Sequence, residues 1–110
     1  MDEHETAGEA ICPIEQVAQL IGSKWTLLII RDLMDGCRRF GQLQKSIGAI
    51  SPRTLSERLS MLEKRGLVRR QAYPEIPPRV EYSLTEKGRA LMPLLRAVRE
   101  YGEKWLVRPL

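Results

Sequence analysis

SPRTLSERLSMLEKRG, residues 51 to 66, decides how the rest of this chain is read. Ser51 is a preferred N-cap, and Pro52 suits the first helical position, where its missing N–H costs nothing. Gly66 follows a Lys64-Arg65 last turn and supplies the stop. Advancing 100° per residue brings Leu55, Leu59 and Leu62 within about 60° of one another, a narrow apolar stripe to dock on a core. Ile50, just ahead of the cap, can staple onto Leu55. The opposite arc holds Arg53, Ser56, Glu57, Ser60 and Lys64, donors and acceptors with no large apolar group among them. Such a face serves either as a solvated surface or as a reader of something polar, and its neighbours favour the second use.

Upstream, Gly48-Ala49-Ile50 forms a tight turn, and Gly41 to Ile47, with Leu43 and Ile47 inward, forms a short helix. Short helix, glycine-containing turn and capped second helix make a helix-turn-helix. Cys37 to Phe40 is too short for a helix and reads as a small strand. Downstream the period changes from helical to extended over Leu67 to Tyr73 and Arg79 to Leu84, the latter placing Val80, Tyr82 and Leu84 on one face. Pro74-Glu75-Ile76-Pro77-Pro78 joins the two strands as a stiff tip, since the proline pair cannot enter a ladder. A hairpin in this place is a wing, able to carry Pro77, Pro78 and Arg79 toward a minor groove or a phosphate strand. The other use of such a tip is to block edge-to-edge aggregation.

Charge is distributed unevenly. Cys37 to Val80 holds ten Lys/Arg against three Asp/Glu, or +7, whereas the remainder is −3, for a total of +4. The excess sits on the stretch containing the capped helix, as a phosphate-binding surface requires. With 110 residues the chain forms one domain, expected over 11–110 after a flexible tail at 1–10. That acidic, polar start is no signal peptide and no run is long enough to span a bilayer, so a soluble intracellular protein is expected, without membrane contact. Catalysis has little to work with. The single histidine, His4, is in the tail, there is no glycine-rich phosphate loop, and Cys12 and Cys37 have no companion histidine to form a zinc site or a nucleophile-base pair. No catalytic residue, metal or cofactor is expected.

Two helices precede this unit. Ile14, Val17, Ala18 and Ile21 recur at helical spacing up to Gly22; Ser23 then caps a helix bearing Trp25, Leu27, Leu28, Ile29, Ile30, Leu33 and Met34, apolar on most of its surface and hence central. Trp25 could stack on a ligand, though core packing is its commoner use. Thr85 caps a last helix whose stripe of Leu91, Leu94, Leu95, Val98, Tyr101 and Trp105 exceeds what its own core needs, so dimerisation through this helix is expected.

The fold class that results is mainly α with a small antiparallel hairpin, a winged helix-turn-helix with flanking helices. In detail the sequence resembles the HxlR-type family of bacterial winged-helix transcription regulators, relatives of the MarR group. The strings that carry the resemblance are CPIEQVAQLIGSKWTLLIIRDL at 12 to 33, RRFGQL at 38 to 43, ISPRTLSERLSMLEKRGLV at 50 to 68 and YPEIPPRVEYSLTEKGRAL at 73 to 91. The resemblance implies a homodimer joined by its N- and C-terminal helices, adding Ile14 and Val17 to the interface, and a pseudo-palindromic site on double-stranded DNA. By position, Ser51 to Arg58 would read the major groove and Pro77 to Arg79 would form the wing. The chain departs from the family at Gly36-Cys37, where Gly-Pro is common.

Within this frame Arg53, in the first turn and away from the leucines, is the first choice for a bidentate guanine contact. Thr54, Ser56 and Ser60 can reach bases or phosphates, Glu57 can accept from cytosine, and Arg58, nearer the apolar stripe, can hold a phosphate or a carboxylate. Arg38, Arg39 and Lys45 are expected on phosphates. Cys12 opens the first helix, where unsatisfied N–H groups and the helix dipole favour a thiolate. Some family members sense oxidants or electrophiles through a cysteine there; the competing reading is a small buried apolar residue. A non-specific architectural DNA binder and a winged-helix protein-interaction module are the rival functions, and nothing in the letters names an effector.

Overall fold

Leu55, Leu59 and Leu62 are each at most 1% exposed, and the core gathers around them. The computed structural model describes residues 11–107, so the segment 1–10 read as a tail lies outside the described residues. The elements are α1 (Pro13–Ile21), α2 (Lys24–Leu33), β1 (Arg38–Arg39), α3 (Phe40–Ile47), α4 (Pro52–Lys64), β2 (Val68–Tyr73), β3 (Arg79–Leu84), α5 (Glu86–Arg89) and α6 (Met92–Trp105). Against the α4 stripe lie Ile29, Ile30 and Leu33 of α2, Leu43 of α3, Ile50 of the turn, Leu67, Val68 of β2 and Leu84 of β3. This is a winged helix in which α2, α3, β2 and β3 each contribute a buried aliphatic residue to the core beneath the recognition helix.

Helix α2 starts where Ser23 Oγ accepts the Trp25 N–H at 3.1 Å. It is central, but only one side is buried: Thr26, Ile29, Ile30 and Leu33 are enclosed, while Leu27 and Leu28 are half-buried beside a groove of about 650 Å³ between α2 and α6. Trp25 is half-buried against the core, with the Lys24 ammonium 4.5 Å from its ring centroid, so its ring packs as a core residue does.

The expected hairpin gains a third strand. The sheet order is β1-β3-β2, antiparallel throughout, pairing Arg38 with Tyr82 and Arg39 with Glu81 on one side, and Val68 with Leu84 through Tyr73 with Arg79 on the other. The strand expected over Cys37 to Phe40 shrinks to two residues because Phe40 already opens α3: the Arg39 N–H donates to Gln42 Oε1 at 2.8 Å and starts the helix there.

Helix α4 closes with a left-handed Gly66, φ +80°, whose N–H donates to Glu63 O at 3.0 Å while the Leu67 N–H donates to Leu62 O at 2.9 Å. These two bonds define a Schellman motif, and the buried pair Leu62 and Leu67 completes it. The helix expected to run unbroken from Thr85 is in fact two. Thr85 Oγ1 accepts the Gly88 N–H at 3.1 Å and caps the short α5, but Pro93 has no N–H to continue the ladder, so the chain turns at Ala90-Leu91 and restarts as α6. Among the described residues no helix is long and apolar enough to cross a membrane.

Candidate nucleic-acid interface

The turn between α3 and α4 is set by Gly48, at φ +90°, whose N–H donates to Gln44 O at 2.9 Å. A side chain is strained in that conformation, so glycine stands there. Ile50 is buried and pins the entry to α4. Ser51 Oγ accepts the Thr54 N–H at 3.1 Å and donates to Thr54 Oγ1 at 3.0 Å, so the cap is doubled and the Thr54 hydroxyl is held locally.

The outer face of α4 is presented to solvent. Ser51, Pro52, Arg53, Ser56, Glu57, Ser60 and Lys64 are exposed, whereas Thr54 and Arg58 are half-buried. Arg53 Nε lies 3.3 Å from Glu57 Oε2 with the arginine side chain 89% exposed, a solvent-screened pair that an incoming base or phosphate can replace. Lys45 of α3 and Arg39 of β1 are exposed as well; Arg38 is half-buried and donates from Nη1 to the Cys37 carbonyl oxygen at 3.1 Å.

The wing is less cationic at its tip than its sequence suggests. Arg79 is clamped: Nη2 is 3.1 Å from Glu75 Oε2, Nε is 3.6 Å from Glu81 Oε2, and the guanidinium carbon stands 4.1 Å from the Tyr73 ring centroid. Two carboxylates and an aromatic face thus occupy it, while Pro77 and Pro78 are exposed beside it. Among the described residues, Arg69 and Arg70, exposed on β2, are wing cations that form no ion pair. Strand alternation alone does not tell an edge strand from a covered one, so their place at the interface is visible only in the fold.

Away from this surface, α1 and α6 each carry an apolar face yet bury no residue. Ile14, Val17, Val98, Tyr101 and Trp105 are exposed, whereas Leu91 and Leu95 are half-buried against the chain's own core, and Leu94 is half-buried. Cys12 is exposed at the start of α1, where its carbonyl accepts the Gln16 N–H at 3.1 Å, so the reading of it as a buried apolar residue does not hold within this chain. Cys37 is exposed too, with Sγ 3.6 Å from Glu81 Oε1.

A buried-stripe helix with a polar outer face, set by a glycine turn and flanked by a β-wing, defines a winged helix-turn-helix DNA-binding protein. The sequence matches the HxlR-like helix-turn-helix family over residues 20–109, and the chain belongs to that family of transcriptional regulators. It is 49% identical over 96 residues to an uncharacterized HTH-type transcriptional regulator of Synechocystis, covering 87% of this chain and 71% of the relative. Among solved structures, the redox regulator HypR in its oxidized form superposes with a TM-score of 0.82 at 38% identity, covering 90% of this chain and all (100%) of HypR. A regulator assigned to the MarR family from Porphyromonas gingivalis superposes with a TM-score of 0.85 at 37% identity, covering 92% and 99% of the two chains.

Proposed function

We propose that this regulator acts as a homodimer on a pseudo-palindromic operator, with α4 of each copy in the major groove and α1 and α6 forming the dimer contact. The observation that carries the reading is the outer face of α4: a firmly capped helix presenting Arg53, Ser56, Glu57 and Ser60 to solvent, beside the exposed cations Arg39 and Lys45. Arg53 reads a base; Arg39 and Lys45 hold phosphates and set the register. The exposed apolar residues of α1 and α6 supply the dimer, because Ile14, Val17, Val98, Tyr101 and Trp105 are left uncovered by the described residues of the chain. It works in the cytoplasm, on the nucleoid when bound, and performs no catalysis.

Cys12 makes this dimer responsive to oxidants or electrophiles. Its exposed thiol stands two residues from Ile14, so modification there changes the contact between copies and with it the spacing of the two recognition helices. Similarity to a protein described as a redox regulator supports the reading. The test is selection from a random duplex library by the reduced protein, followed by salt titration. An enriched palindrome bound about a thousandfold or more above scrambled DNA supports a sequence-specific dimer, whereas steep salt dependence without enrichment means an architectural binder. Absence of binding in both redox states leaves the protein-interaction module.

A further inference from the structure

Ile76, at the tip of the wing, has a relative exposure of 101%, the largest among the exposed hydrophobic residues. It stands between Pro74 and the Pro77-Pro78 pair, all exposed, so the outermost part of the hairpin is an apolar point. No cation is free in this tip, since the Arg79 guanidinium lies between Glu75 at 3.1 Å and Glu81 at 3.6 Å and over Tyr73. Little is left there for an electrostatic contact. The prolines fix backbone angles before any partner arrives, which reduces the ordering cost of inserting the tip.

We propose that Ile76 is a wedge that enters the minor groove beside the recognition helix, packs against the sugars or between base steps, and bends the duplex. The reach fits. From the Val68–Leu84 pair at the core to the Tyr73–Arg79 pair at the tip the ribbon covers five residue steps, or about 17 Å, half of the roughly 34 Å turn of the duplex. A wing rooted beside α4 is therefore long enough to reach the adjacent minor groove. Arg69 and Arg70, exposed along β2, alternate to opposite faces of the ribbon, so the one on the duplex side meets a phosphate on the way and supplies the charge that the tip lacks. Apolar side chains used this way unstack a step and kink DNA toward the major groove, most cheaply at pyrimidine–purine steps. Specificity then extends to flanking base pairs that α4 never touches.

The proposal rests on the DNA-binding reading, and its test separates the two. The full-length reduced protein and its Ile76→Ala, Ile76→Met and Ile76→Lys variants are titrated onto the duplex selected by the unmodified protein, labelled at both ends so that energy transfer reports the bend. Ile76 packs on nothing, so these variants keep the fold, and circular dichroism verifies it. A bend of at least about 20° is expected for the unmodified protein. Ile76→Ala loses the bend and about tenfold in affinity, with flattened preference at the flanking steps; Ile76→Met retains both and Ile76→Lys does not restore the bend. Equal binding and bending by Ile76→Ala overturns the wedge, as does a gain in affinity and salt dependence for Ile76→Lys, which would mark a phosphate contact. A tip that serves a protein partner is the other overturning result, seen as unchanged operator binding with transcription altered in a reconstituted reaction. If the unmodified protein selects no duplex at all, the DNA-binding reading itself fails, independently of Ile76.

Discussion

The Thr85 hydroxyl donates to the Gly66 carbonyl oxygen at 2.6 Å, joining the cap of α5 to the glycine that ends the recognition helix. Two more bonds run alongside: the Thr85 N–H donates to Leu67 O at 3.0 Å and Lys87 Nζ donates to Arg65 O at 3.0 Å. The carbonyls of Arg65, Gly66 and Leu67, in the turn that closes α4, are thus taken by Thr85 and Lys87 at the start of α5. The turn that ends the recognition helix is in this way held to α5, the short helix that precedes α6.

Thr85→Ala removes the side chain that both caps α5 and bonds Gly66, and is expected to cost about 1–2 kcal/mol of stability. Chemical denaturation checks the loss. Thr85→Ser keeps the hydroxyl and should recover most of it; if serine is as damaging as alanine, the bond is not what matters.

Gly88→Ala should be worse. A Cβ on Gly88 would collide with the Leu67 carbonyl oxygen and lie 3.0 Å from Leu84 Cδ2, so the backbone of α5 must move away from Leu67. The expected cost is about 1–3 kcal/mol or more, read from the denaturation midpoint. Gly41→Ala in α3, with nothing within 4 Å of the added carbon, gains about 0.5–1 kcal/mol by helix propensity and serves as the contrast.

Gly88 also marks where sequence reasoning stops. The capped α4, its leucine stripe and both wing strands follow from cap chemistry and from periods of 3.6 and 2, which are local rules, and β3 begins and ends where its alternation says. What required three dimensions was contact between distant segments: Glu75 and Glu81 neutralising Arg79, or Gly88 lying under Leu67. Pro93 belongs to a different class. Its break between α5 and α6 was legible from the residue alone, but the long leucine stripe on either side masked it. At the interface, which α4 residues face outward could be read from the sequence; that Arg69 and Arg70 stand free on an edge strand could not.

Arg53→Ala and Lys45→Ala should fail differently. Arg53 is exposed in the first turn of α4, and its loss is expected to cost about 1–3 kcal/mol on the operator while relaxing preference at one base position. Lys45→Ala weakens all duplexes alike and lowers the salt slope by about one. Titrations on the operator and on single-base variants separate the outcomes, and an equal loss on every duplex for Arg53→Ala would remove it from base reading.

The dimer assignment is tested on α6. Val98 and Trp105 are 47% and 65% exposed in the single chain, so Val98→Asp with Trp105→Asp should leave the fold intact. If a second copy covers them, each loses the roughly 1.5–3 kcal/mol of a buried apolar side chain and gains an unpaired charge, and sedimentation should report monomer at micromolar concentration. Palindrome binding should then fall to that of a half-site. A variant that still sediments as a dimer places the interface elsewhere.

Cys12 and Cys37 are both exposed, which makes the choice between them an experiment in selectivity. The Cys37 thiol is engaged by a carboxylate oxygen, donating to Glu81 Oε1 at 3.6 Å. Cys12, exposed at the N-cap of α1, makes no side-chain hydrogen bond to that helix. Limited treatment with an alkylating agent should therefore label Cys12 first, by peptide mass, and diamide should change operator affinity in the unmodified protein and in Cys37→Ser but not in Cys12→Ser. Because α1 packs only its Leu20–Ile21 end on the core, the change should reach DNA through the second copy, so the monomeric α6 variant should be labelled yet keep its half-site affinity. Loss of affinity in that monomer would mean that Cys12 acts within its own chain and that the dimer is not the relay.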